Sequence, residues 1–219
     1  MEYRYHQGNI LDNIYLINNI QKSDLEIDRF DNIDYHQSLL DFKDKLLSIK
    51  DKQVLIVGDY DCDGICATTI TKRLLEHLGI NNSYYIPSRI DEGYGLSDKI
   101  VNLASKHHFD VIITVDNGVS ALSSISLANS LGIKVMIIDH HEYQEVPACY
   151  GFIHPNLLSN DFNKLSAGAL CYLLSTLFYE DDYSLVLGGL SILSDMVGVL
   201  NYNRYLLKKM MNILNTSDM

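Results

Sequence analysis

The stretch VLIVGDYDCDGICAT, residues 54–68, sets three aspartates (Asp59, Asp61 and Asp63) at alternate positions between an apolar run and Gly64. The run itself, QVLIV (53–57), is short, continuous and β-branched, as in a strand buried on both faces. D-x-D-x-D-G also opens a calcium-binding EF-hand loop. That loop follows a helix and has a bidentate Glu at its twelfth position; counted from Asp59, position twelve is Ile70. A polar turn is the plainer reading, because Asp and Gly are ordinary turn formers. Three carboxylates within five residues repel one another, however, and no Lys or Arg lies between Lys52 and Lys72. A bound cation relieves that repulsion most simply.

Further apolar runs follow: SYYI (83–86), DVIITV (110–115), KVMII (134–138) and GFI (151–153). Helix-like stretches separate them at Ile65–Leu78, Ser97–His107 and Val119–Leu131, after another at 35–49. This alternation predicts an α/β fold: a doubly wound, mainly five-stranded parallel sheet with helices on both faces. Residues 165–214 read as three helices, a helical C-terminal segment. In such sheets ligands bind beyond the carboxyl ends of the strands. Asp59–Asp63 follow the first strand, Asp116 the DVIITV strand, and Asp139, His140 and His141 the KVMII strand. Three clusters of metal-ligand residue types therefore converge on one sheet edge.

Bulk properties bound the rest. The net charge of −11 and pI near 5.0 argue against a broad basic surface with strong non-specific affinity for DNA. They leave a phosphate-bearing substrate open, since two divalent cations would cancel four negative charges at the acidic cluster. The N-terminal MEYRYHQGNI lacks the apolar core of a signal peptide, and YSLVLGGLSILSDMVGVL (183–200), with Asp195 and two adjacent glycines, reads as a buried helix. No membrane association is expected. The four cysteines (Cys62, Cys66, Cys149 and Cys171) then read as reduced thiols of a cytoplasmic protein.

Carboxylates mixed with imidazole, without cysteine, suit manganese or magnesium, and the histidine favours Mn²⁺. Several carboxylates at one edge can hold two ions, the arrangement that activates water for in-line attack on phosphate esters. GDYDCDG (58–64), TVDNG (114–118), DHH (139–141) and a late SD (194–195) resemble, in order and spacing, the four motifs of the DHH phosphoesterase family. SRIDEGYGLS (88–97) and HPN (154–156) resemble its RecJ branch of single-strand-specific 5′→3′ exonucleases.

The resemblance implies a nuclease that hydrolyses single-stranded DNA to nucleoside 5′-monophosphates with two divalent cations, Mn²⁺ preferred and Mg²⁺ acceptable. By motif, it implies that Asp61 and Asp63 each bind one ion, that Asp116 bridges them, and that His140 and Asp195 complete one coordination sphere. Asp59 is a further ligand or supporting acid, and Asp139 orients a histidine ring. His141 and Arg89 are expected at the scissile phosphate, with Gly93, Tyr94 and Gly95 forming a loop close to the nucleotide. His154 is read either as a loop residue near the site or as having no role in it.

Two features depart from the family pattern. Val57 stands where many members have a His, and the chain ends at Met219 where members continue into a substrate-gripping domain. Residues 1–34 read as an N-terminal extension, 35–200 as the catalytic domain and 201–219 as a helix opening a linker. A protein partner or self-association would then supply the clamp. Hydrolysis of short oligonucleotides, cyclic dinucleotides or pyrophosphate is an alternative, as is a non-catalytic scaffold in a replication or repair complex.

Overall fold

The computed structural model describes residues 9–18, 20–21, 36–90, 93 and 95–216. Tyr94 lies outside the described residues, as does most of the segment read as an N-terminal extension. Within that segment, Ile10–Asn18 forms α1.

The chain then runs α2 (Gln37–Ser48), β1 (Val54–Val57), α3 (Cys62–His77), β2 (Asn82–Tyr85), α4 (Asp98–Lys106), β3 (Val111–Val115), α5 (Leu122–Ser130), β4 (Lys134–Ile138) and β5 (Gly151–Ile153). Three helices close the described chain: α6 (Ala167–Ser175), α7 (Asp182–Ser194) and α8 (Asn201–Thr216). The five strands are all parallel, in the order β2-β1-β3-β4-β5.

Side-chain alternation divides the core in two. Val54 and Ile56 join Val111, Ile113, Met136 and Ile138 under α2, α3 and the three C-terminal helices. Leu55 and Val57 join Ile112, Val135 and Ile137 under α4 and α5. Successive strand side chains point to opposite faces, so a strand apolar at every position is buried on both. Each such side chain contributes about 1.5–3 kcal/mol by leaving water.

This strand order has one functional consequence. The chain leaves β1 toward β2 on one side, and continues from β3 toward β4 and β5 on the other. The connections therefore diverge between β1 and β3, opening a crevice above their carboxyl ends. Asp59–Asp63 and Asp116 flank that crevice.

Helix α3 begins earlier than the pattern implies, at Cys62 and not Ile65. Asp61 is its N-cap, accepting a hydrogen bond from the Gly64 N–H at 2.9 Å. Gly64 thus belongs to the first turn of the helix and not to the turn before it. A Cβ there would lie 2.6 Å from the Asp59 carbonyl oxygen, so only glycine lets this turn pack on the Asp59 backbone.

Candidate metal centre

The site is assembled from strand ends. After β1, Asp59 is buried with its carboxylate accepting from the Tyr60 N–H at 2.7 Å, and Asp61 is exposed at the helix cap. Asp63, in the first turn of α3, is buried. Its oxygens accept from the Ala167 N–H at 2.8 Å and the Gly168 N–H at 2.7 Å, at the N-terminus of α6. After β3 the backbone turns sharply: Asp116 has φ of +61°, a left-handed conformation costing about 1–2 kcal/mol for most residues and least for Asp and Asn. Asn117 ties this corner to β1, donating to the Val57 carbonyl at 3.0 Å and to the Val115 carbonyl at 2.9 Å.

After β4, Asp139 is fully buried and binds its own loop. One oxygen accepts from the Val119 N–H at 3.0 Å; the other accepts from the His140 N–H at 2.7 Å and lies 2.8 Å from His141 Nδ1. The last arm comes from the helical segment, where Asp195 is the C-cap of α7.

These arms meet on one imidazole. His140 Nε2 lies 3.2 Å from Asp116 and 3.7 Å from Asp63, and its Nδ1 lies 3.7 Å from Asp195. Ligand atoms within 4.8 Å of one another form three groups: Asp116, His140 and His141; Asp63, His140 and Asp195; Asp59, Asp61 and Asp116. Asp116 and His140 each belong to two of them. The donor set is oxygen and imidazole nitrogen without sulfur, which fits hard to borderline divalent cations.

The electrostatics fit the same occupant. Burial pushes the Asp116 carboxyl up to about 7 and Asp63 to about 6, the latter only partly offset by the α6 amides. Burial raises Asp59 as well. His140 is raised: its burial, which alone would lower it, is outweighed by the hydrogen bond to Asp116 and the charges of Asp63, Asp116 and Asp195. Asp116 and His140 therefore compete for a proton, the signature of carboxylates crowded where positive charge belongs. His141 is raised to about 9, first by its hydrogen bond to Asp139. For Asp139, burial raises the carboxyl, but the His141 and Val119 hydrogen bonds outweigh it and hold the group low.

Of the expected substrate contacts, His141 belongs to one of these groups, and Arg89, Gly93 and Gly95 belong to none. The Arg89 guanidinium sits over the Tyr60 ring at 5.2 Å, next to the aspartates. Gly93 and Gly95 both adopt positive φ, +79° and +77°. Val57 is buried at the end of β1 against the α4–α5 face.

One residue was left open by the sequence and is built into the site. His154, buried after β5, accepts the Asn156 N–H on Nδ1 at 3.1 Å, so its Nε2–H donates to the His141 carbonyl at 2.9 Å. The ring packs edge-on to Tyr143 at 4.7 Å and fixes the loop carrying both histidines. The signal is its place just past a strand end, the position shared by the strand-borne candidate ligands.

The model of the DHH family N-terminal domain matches residues 53–190, more than half of the chain. The single-stranded-DNA-specific exonuclease RecJ of Escherichia coli is 33% identical over 159 residues, covering 67% of this chain and 28% of that protein. RecJ of Bacillus subtilis is 31% identical over 158 residues, covering 70% of this chain and 20% of that protein. The chain thus spans between a fifth and a third of the length of these curated relatives. A crystal structure of an exonuclease RecJ bound to manganese superposes with a TM-score of 0.75 at 25% identity, covering 83% of this chain and 49% of that one.

Proposed function

The chain belongs to the DHH family, and from that premise we propose that it carries the catalytic centre of a divalent-cation-dependent nuclease acting on single-stranded DNA. The proposal extends to direction and product: attack from the 5′ end, releasing nucleoside 5′-monophosphates. The observation that carries it is the meeting of Asp63, Asp116 and Asp195, from three separate stretches of chain, on His140 at 3.2–3.7 Å. The named activity of the RecJ relatives and the manganese in one related crystal structure support the reading.

Asp59, Asp61, Asp63, Asp116, His140 and Asp195 would hold two cations, Mn²⁺ preferred over Mg²⁺, with Asp116 between the groups. When bound, such a pair lowers the pKa of water and neutralises charge on a phosphoryl group. The chain's own residues do the rest. Asp139 keeps a proton on His141 Nδ1. His141, half exposed and with its Nδ1 proton held by Asp139, would donate to a phosphoryl or departing 3′ oxygen where negative charge grows. Arg89, backed by Tyr60, clamps a neighbouring phosphate, and the Gly93–Tyr94–Gly95 loop approaches the nucleotide. A partner, a second copy or further chain would grip the rest of the strand, and a cytoplasmic setting follows from such a substrate.

The test is the purified chain with Mn²⁺ or Mg²⁺, offered 5′-labelled single-stranded DNA, a dinucleotide, a cyclic dinucleotide and pyrophosphate, beside an Asp116→Ala control. Metal-dependent release of 5′-mononucleotides, absent from the control, is expected. No metal-dependent release from any substrate would sink the enzymatic reading.

A further inference from the structure

We propose that Gly168 is a positioning residue of the metal centre: it lets the first turn of α6 close on Asp63, and any larger side chain displaces that carboxylate. The inference rests on the reading of Asp63 as a metal ligand and adds the group that aims it.

Asp63 is held at both oxygens. The Ala167 and Gly168 N–H groups, the first two of α6, donate to Oδ2 at 2.8 Å and Oδ1 at 2.7 Å. These are charge-assisted bonds at the positive end of a helix, and they leave a lone pair on each oxygen for a cation. Ser166 caps α6 and is tied to Ser191 of α7, Oγ to Oγ at 2.7 Å. Four residues on, the Asp195 N–H donates to the Ser191 carbonyl at 3.0 Å. Gly168 thus sits where Asp63, α6 and the last turn of α7 come together.

A Cβ on residue 168 would lie 2.6 Å from Ser191 Oγ, 2.7 Å from Ser191 Cβ and 3.1 Å from Asp63 Oδ1. The first two contacts wedge α6 from α7; the third is tight enough that Asp63 Oδ1 must give by a few tenths of an ångström. Asp63 and Asp195 each stand 3.7 Å from His140, so either displacement opens the group they form with it.

These contacts separate positioning from mere helix packing. In Gly168→Ala with Ser191→Gly the wedge against α7 is gone, while the approach to Asp63 remains. Mn²⁺ binding is read by electron paramagnetic resonance, and folding by thermal melting in metal-free buffer. Gly168→Ala is expected to bind Mn²⁺ about tenfold or more weakly, the range for loss of a group that orients a ligand. The double variant is expected to melt with Ser191→Gly alone yet keep most of the binding deficit. The double variant also carries the test should Gly168→Ala alone fail to fold. Mn²⁺ affinity in the double variant within about twofold of Ser191→Gly, well short of that range, overturns the inference. Absence of Mn²⁺ binding by the unmodified chain overturns the metal-centre reading itself, and this inference with it.

Discussion

The strand ends and the helical third both reach the metal centre, but in different ways. Asp59, Asp116, Asp139, His140 and His141 each sit within two or three residues of a strand's end, so the sheet places them directly. The helical third contributes a single candidate ligand, Asp195, and otherwise acts through backbone: the α6 amides on Asp63 and the α7 turn that ends at Asp195. The strand-end region is strained and self-repelling, with Asp116 at positive φ and three carboxyls raised by burial. In the helical region α6 and α7 carry side-chain N-caps and bury no charged cluster, although Met196 and Asn201 between α7 and α8 also take positive φ and Asn203 Oδ1 is buried with no hydrogen-bond partner among the described residues. Substitutions at the strand ends should therefore change chemistry at little cost to the fold, and those in the helical third that touch neither Asp195 nor the α6 turn on Asp63 the reverse.

Asp116→Asn probes that contrast most strongly. Asparagine tolerates the same left-handed backbone, so the corner after β3 survives. Loss of a residue shared by two ligand groups should cut metal-dependent activity by more than the roughly 100-fold that an outer partner costs. Removing a buried, repelled carboxylate should raise the metal-free melting temperature at pH 8, by about 2–4 °C for each kcal/mol relieved. A lowered melting temperature would show that the strand-end cluster stabilises the fold and would break the contrast.

The next effect belongs to the histidine loop. Asp139→Asn takes away the charged hydrogen-bond acceptor that, first by its hydrogen bond and then by its charge, raises His141, so an alkaline limb of the kcat profile set by His141 should move to lower pH. His154→Ala removes the donor on the His141 carbonyl without touching that charge, so it should lower kcat with the limb left in place. Losses of about 10–100-fold are expected for both. Equal pH profiles for the two variants would mean that Asp139 merely holds the loop.

Proton linkage gives a smaller and opposite-signed pair of effects. Asp63 and Asp116 titrate higher in the folded chain (about 6 and 7) than at their ordinary 3.8. Between those values the folded state holds more protons than the unfolded one, so the metal-free protein should lose stability as pH rises from about 4 to 7. Asp139, held low, loses its contribution only as pH falls below about 4, outside that window. Cation binding displaces the extra protons, so Mn²⁺ should raise the melting temperature more at pH 8 than at pH 6. Calorimetry in two buffers of different ionisation enthalpy would count the protons released; none at pH 6 would mean the carboxyls were ionised beforehand.

What the sequence made legible follows the same division. A parallel strand is a local apolar run and its carboxyl end is the next residue, so the sheet and the clusters of metal-ligand residue types at its edge are legible from spacing, while the role of each residue comes only from the family resemblance. The start of α3 was misplaced because its cap, Asp61, was read only as a ligand, although one oxygen also serves Gly64. The cradle around Asp63 was invisible for another reason. Ala167 and Gly168 lie over a hundred residues from Asp63 and act through N–H groups that every residue but proline has. Only the packing of α6 against α3 brings them together, and no residue pattern encodes that contact. Arg89 is named from its motif, but its seat over the Tyr60 ring is a tertiary contact between the segments after β2 and after β1 that no local pattern encodes.

The smallest expected effect tests whether the helical third is more than scaffold. Asp181 caps α7, accepting from the Tyr183 and Ser184 N–H groups and the Ser184 hydroxyl, and pairs with Arg73 of α3 at 2.8 Å. Asp181→Ala should cost about 1 kcal/mol, typical of a lost N-cap, seen as a lower urea midpoint with an unchanged slope. Its cap lies at the far end of α7 from Asp195, and the body of that helix is fixed by Leu185, Gly188, Ser191 and Ile192, all buried. Mn²⁺ affinity should therefore be unchanged. If affinity fell with stability, the position of Asp195 would depend on the whole length of α7, and the helical third would be as much a part of the site as the strand ends.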